Sequence, residues 1–152
     1  MKRLLLPVCA ALAIGVLATT VQAHHSFSMF DRERGEVVVG EVVRWAFNSP
    51  HVIMYIRDTG GTTWGFEGAA PPAVLGRTPS VDGFTFQPGQ SLTVIQCPLH
   101  DGRSGGAIGL IVSGDDTWYN PSDGGCGPDE DEWRAWLPAG YLSKAEAEAG
   151  TE

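Results

Sequence analysis

The pattern of apolar and polar positions divides the chain into short β segments separated by turn residues. Residues 35–47 read as one long strand, rich in β-branched side chains and interrupted by Gly40, a candidate bulge or sharp bend. Asn48-Ser49-Pro50 is turn chemistry. Residues 51–58 follow as a second strand, with Val52, Met54 and Ile56 alternating against His51, Ile53, Tyr55 and Arg57. Thr59-Gly60-Gly61 predicts a hairpin turn into a third strand at 62–67, where Trp64 and Phe66 share one face and Thr63, Gly65 and Glu67 the other. Prolines 71 and 72 open a short helix that ends near Leu75. Pro88-Gly89-Gln90 turns into a fourth strand at 91–97, and a fifth runs over 107–113. Beyond Gly114 the chain is rich in Asp, Gly and Pro, carries Trp118, Trp133 and Trp136 as residues that can dock on the body, and ends in a short helical pattern at 143–148.

Three strands, a helix and two strands, the first long enough to bend at a glycine, predict a mainly β fold: a small five-stranded OB-like Greek-key barrel with one short helix between strands three and four. Closing the sheet removes exposed edges. An open α+β meander is the alternative.

The first 23 residues change the picture. Lys2 and Arg3 precede an apolar run over 4–18, and Val21-Gln22-Ala23 is a small-residue cleavage pattern. This is the form of a bacterial signal peptide, too short for a comfortable membrane span. The expected organisation is a signal peptide at 1–23, a barrel domain at 24–114 and an acidic Gly/Pro-rich extension at 115–152. The expected location is the periplasm or the medium, with no membrane span once the signal is removed. Cys9 lies inside the apolar run rather than at the cleavage site, which disfavours a lipid anchor.

Charge excludes one class of partner. The chain carries ten Lys and Arg against eighteen Asp and Glu, net −8, and loss of the leader removes two of the cations. Nucleic-acid binding needs clustered cations to replace counterions, and none is present. From Asp115 onward ten residues are acidic and two basic, with Asp129-Glu130-Asp131-Glu132 as a block that reads as a solvated tail. Cys97 and Cys126 form an even pair in an oxidising compartment, which favours one disulfide over a soft metal site because neither lies in a Cys-x-x-Cys pair.

Several segments resemble a family of small exported bacterial proteins with a domain of unknown function. They are Ala23-His24-His25-Ser26-Phe27, Asn48-Ser49-Pro50-His51, Trp64-Gly65-Phe66-Glu67, the turn Gln87-Pro88-Gly89-Gln90, and Pro98-Leu99-His100-Asp101-Gly102-Arg103-Ser104-Gly105-Gly106. Ser49 separates Asn48 from Pro50, and His100 stands where a basic residue is more usual. The resemblance implies export and a domain of about this extent; it brings no activity.

The residues themselves suggest metal chemistry. Cleavage after Ala23 would leave a free α-amine on His24, followed at once by His25. An amine with imidazoles is a nitrogen-rich ligand set suited to copper, nickel or zinc, with copper first. His51, at a strand start, is a third nitrogen donor, and Glu67 is an oxygen ligand or a carboxylate that orients an imidazole. Met29 and Met54 are candidate thioether donors. Against this stand plainer roles: flexible polar residues for His24 and His25, packing or capping for His51, a salt bridge to Arg44 or Arg57 for Glu67, core for Met54 and a solvated turn for His100. The alternative function is a non-metal interaction module that binds an envelope protein, a glycan or a small ligand on an aromatic face containing Tyr55 and Trp64. Nothing demands an enzyme. No Gly-x-Ser-x-Gly elbow is present, and the glycine-rich 102–106 lacks the Lys-Ser/Thr of a phosphate loop.

Overall fold

The computed structural model describes residues 27–124, 126 and 130–150. The expected signal peptide, His24 and His25 lie outside the described residues. After a 3₁₀ turn at Phe27–Met29, five strands build the body: β1 Glu36–Ala46, β2 Ile53–Asp58, β3 Thr63–Glu67, β4 Ser91–Pro98 and β5 Gly105–Ser113. A short helix, α1 Pro71–Leu75, lies between β3 and β4. The strand order is β3-β2-β1-β4-β5, and a parallel β3–β5 pairing closes the ring. This is the expected small barrel, with a sixth strand, β6 Trp118–Tyr119, added outside β5.

Two glycine-dependent contacts make closure possible. At the seam Gly65 pairs with Gly105 and Phe66 with Gly106. A Cβ on Gly105 would overlap the Gly65 carbonyl oxygen, and one on Gly106 would overlap the Gln96 side chain and the Cys97 carbonyl. Gly40 serves a related purpose. It pairs with Asp58 on one side and Leu92 on the other, and a Cβ there would sit 2.6 Å from the Arg57 carbonyl oxygen. The bulge expected at Gly40 falls instead between Val42 and Arg44, where Val43 is the extra residue opposite β2. Gly40 is thus a point of close backbone approach, as β1 passes from pairing with β4 to pairing with β2.

The barrel interior is filled by Val42, Val52, Met54, Ile56, Phe66, Val74, Phe86, Leu92, Val94, Ile108 and Ile111. α1 plugs one end through Val74, which is fully buried. A second apolar cluster lies on the other side of β4 and β5: Ile95, Leu110, Val112 and Trp118, covered by Trp133. The cover comes from the extension, whose residues form α2 Glu130–Trp136 and α3 Lys144–Gly150. The acidic block read as a solvated tail therefore enters a helix. Glu130, Asp131 and Glu132 occupy its first turn, where negative charge suits the positive end of the helix dipole, and Trp133 follows into the core. The Cys97–Cys126 disulfide is formed, with Cα atoms 5.5 Å apart, and packs with Phe30 in a third cluster.

Candidate functional site

The hairpin turn sets the site. Gly61, at φ 85°, supplies the left-handed residue, and Asp58 accepts the Thr62 backbone N–H at 2.8 Å. The turn fixes the β2–β3 register, in which Ile53 faces Glu67, Tyr55 faces Gly65 and Ile56 faces Trp64. Met54 and Ile56 point into the barrel, so Ile53, Tyr55 and Glu67 lie on the outer face. The ladder continues past the strand ends: Val52 N–H donates to the Ala69 carbonyl at 3.0 Å and Gly68 N–H to the Val52 carbonyl at 2.9 Å. His51 therefore projects on the same face as Ile53 and Glu67.

There His51 Nδ1 lies 2.5 Å from Glu67 Oε1 and 3.9 Å from Asp123 Oδ2. The imidazole is 17 % exposed, against 33 % and 40 % for the two carboxylates. Both carboxylates lie on the Nδ1 side of the ring, and the Glu67 approach is an ion-pair contact whose angle is not that of a hydrogen bond. Glu67 thus meets His51 rather than Arg44 or Arg57. Asp123 comes from the extension and was not singled out from the sequence.

Beside this cluster a shallow groove of about 200 Å³ is lined by Met29, Tyr55, Gly65, Glu67, Leu99 and Arg103. The chain enters the described structure at its rim. Phe30 bridges to Leu99, the Met29 carbonyl accepts the His100 N–H at 3.0 Å, and Asp31 N–H donates to the Pro98 carbonyl at 2.8 Å. Met29 is 46 % exposed, Met54 is fully buried in the barrel core, and His100 is exposed in the turn after β4.

Tyr55 and Trp64 do not share a surface. Tyr55 lies over Gly65 on the outer face, where a Cβ on the glycine would be 3.2 Å from the ring. Trp64 is on the inner face at the barrel end, parallel to Phe66 at 6.2 Å, with its indole N–H donating to Asp58 Oδ2 at 2.8 Å. That indole bond, followed by the backbone donors of Thr62, Gly60 and Gly61, holds the Asp58 carboxyl below its ordinary 3.8. A carboxyl lowered on folding stabilises the fold above its unfolded pKa, and loses that contribution as pH falls through the folded value. The Trp64 indole N–H resonance is accordingly expected to titrate with a midpoint below 3.8, and to lose that step in Asp58→Asn. A midpoint above 3.8 would contradict the bond.

Among the described residues no group of three or more His, Cys, Asp or Glu converges tightly enough to hold a metal ion by itself. Among them, too, no helix is long and apolar enough to cross a membrane. The sequence model of a family described as of unknown function, DUF6152, matches residues 12–109, which spans the barrel through the first half of β5. No curated protein and no solved structure matches the chain.

Proposed function

The chain belongs to the DUF6152 family of unknown function, and we propose that it is a small exported barrel that captures a transition-metal ion, copper first, with His24, His25 and His51 as donors and Glu67 in support. One observation carries this reading: the His51–Glu67 contact at 2.5 Å, beside a groove rimmed by Met29. A carboxylate on Nδ1 is what a metal-donating imidazole needs on its far side. The remaining donors would come from the start of the exported chain. His25 stands two residues before Phe27, and an extended chain spans at most ~3.6 Å per residue, so His25 and the His24 amine are tethered to the groove rim. Copper(II) favours such mixed nitrogen and oxygen ligation. In this reading the family domain supplies the scaffold and export supplies the amine, with cleavage after Ala23.

The test is a copper(II) competition titration on three proteins: one starting at His24 (confirmed by mass spectrometry), one with a single alanine added before His24, and His51→Ala. The added residue and the substitution are each expected to weaken binding by about 10-fold or more, the scale on which lost ligands and their partners act. Equal affinity in all three would overturn the reading. A second reading, a small non-metal ligand in the groove, is favoured by Tyr55 lying over Gly65 beside Met29 and Leu99. It is tested by Tyr55→Ala rather than by Trp64→Ala, since the indole is on the other face.

A further inference from the structure

We propose that the groove over Gly65 takes a small organic anion, a carboxylate on a flat apolar body, with Tyr55 and Arg103 as its recognition residues. This rests on the second of the two readings above and is independent of any metal. At about 200 Å³ the groove is below the range of drug-sized pockets, so its occupant is small. Met29, Ile53 and Leu99 give it apolar walls, and Gly65, bare of a side chain, gives it a floor beside the Tyr55 ring. Its two charged lining residues stand at opposite ends. β3 and β5 run parallel, with Gly65 opposite Gly105 and Glu67 opposite Ala107, and the Gly65 N–H donates to the Ser104 carbonyl at 3.3 Å. Arg103 therefore lies toward Thr63, and Glu67 lies about 13 Å further along the strand, where His51 takes it up. Arg103 is braced. Its Nε donates to Asp101 Oδ2 at 2.7 Å and its backbone N–H to Asp101 Oδ1 at 3.1 Å, across Gly102 at φ 75°. Those contacts, the backbone one first, hold the Asp101 carboxyl below its ordinary 3.8, so the brace stays ionised. It occupies Nε and leaves the two Nη groups for a carboxylate, which a guanidinium receives in a planar two-point fork.

Charge around Tyr55 favours an anion, although the chain as a whole is net −8. Among the described residues most other cations are engaged elsewhere. Arg34 pairs with Glu36, Arg134 with Glu130, and Lys144 with Glu33 and Glu148. Arg32 and Arg77 clamp the extension: Arg32 donates to the Gly124 carbonyl at 2.8 Å, and Arg77 to the Asn120 carbonyl and, at 2.6 Å, the Ser122 carbonyl. Arg44 and Arg57 are exposed, make no ion pair among the described residues, and flank Tyr55. Arg57 follows Tyr55 by two residues on the same outer face, and Arg44 faces it across the β1–β2 ladder. Glu41 stands opposite Arg57 in the register, but the two do not close to an ion pair. The bulge puts Arg44 where it is. Val42 faces Ile56 and Arg44 faces Tyr55, so the extra Val43 takes up one step. Without it Val43 would face Tyr55, and Arg44 would face Met54 in the barrel core. Three guanidiniums thus stand around one aromatic ring, and their field raises the local concentration of anions at the groove mouth.

The experiment uses the protein starting at His24 and two probes of one shape: 2-naphthoate and its uncharged counterpart, 2-naphthamide. Binding is followed by chemical-shift titration at low salt. 2-Naphthoate is expected to shift the Tyr55 ring and Gly65 amide resonances and to bind about 10-fold more tightly than 2-naphthamide, the scale of one hydrogen bond to a charged group. Arg103→Gln should remove most of that preference. Arg103→Lys should keep part of it, since a lysine holds the charge and loses the fork. Arg44→Gln combined with Arg57→Gln should weaken 2-naphthoate by about threefold and flatten its salt dependence, with 2-naphthamide unmoved. Tyr55→Ala should weaken both probes. Equal affinity for the two probes, or a preference that survives Arg103→Gln, would overturn the anion assignment and leave a ligand groove standing. Absence of shifts at Tyr55 and Gly65 with either probe, or two affinities untouched by Tyr55→Ala, would overturn the groove reading and this inference with it.

Discussion

Trp133→Ala is expected to lower the stability of the protein by about 3–5 kcal/mol, the range for truncating a fully buried tryptophan. Trp133 is completely buried, packed on Ile95, Leu110, Val112 and Trp118 on the outer side of β4 and β5. It is the residue by which α2 is seated. Trp136 meets it edge-on at 5.4 Å, and the Arg134 guanidinium lies 4.6 Å over Trp118. Truncation would leave a cavity and uncover an apolar sheet face together. The indole nitrogen has no hydrogen-bond partner among the described residues, so the ring contributes by packing and its N–H is a cost. Trp133→Phe is therefore expected to be much milder than Trp133→Ala. Urea unfolding of both variants checks this. An alanine variant within 1 kcal/mol of the parent would mean that the helix does not stabilise the barrel.

Trp133 also marks where the sequence stops being legible. The barrel could be read because its signals are local. Alternation in 51–58 and 62–67, a two-glycine turn between them, and prolines at the start of α1 each act over a few residues. The meeting of His51 and Glu67 has the same origin. Once the turn fixes the register, both fall on the outer face at the open end of one hairpin. The disulfide followed from counting, because removal of the expected signal peptide would leave two cysteines.

What was not legible depends on long-range packing. The run Glu130-Asp131-Glu132 hides a helix, because the apolar positions that follow, Trp133 and Trp136, belong to a face that exists only against β4 and β5. A trace of that face is present in the sequence. β5 reads Gly105-Gly106-Ala107-Ile108-Gly109-Leu110-Ile111-Val112, apolar at every position instead of alternating, the mark of a strand covered on both sides. The extension, with Trp133 and Trp136, is one unassigned stretch that carries residues large enough to cover it. Asp123 had no such trace. Its approach to His51 follows from Arg77, Arg32 and the disulfide acting across the fold, and no spacing encodes it.

Replacing both cysteines, Cys97→Ser with Cys126→Ser, is expected to cost about 3–4 kcal/mol. The two residues are 29 apart. Tying the ends of a loop of that length restricts the unfolded chain by roughly that amount. The native side adds to the loss. Cys97 is fully buried and Cys126 nearly so, and together with Phe30, Leu99 and Ala107 they form the apolar cluster between the N-terminal segment and the end of β4. Two serine hydroxyls in that cluster would have to find partners or be buried without them. The barrel interior is separate from this cluster, so the variant is expected to remain folded, with a lower urea midpoint and a transition slope somewhat steeper than the parent's, because the unfolded chain without its crosslink exposes more surface. Reduction of the parent under unfolding conditions should reproduce most of the shift. The effect should also not simply add to that of Trp133→Ala, because both changes release the same extension from the same sheet. A stability equal to the parent's in the double serine variant would show that the arginine clamps and the tryptophan hold the extension unaided.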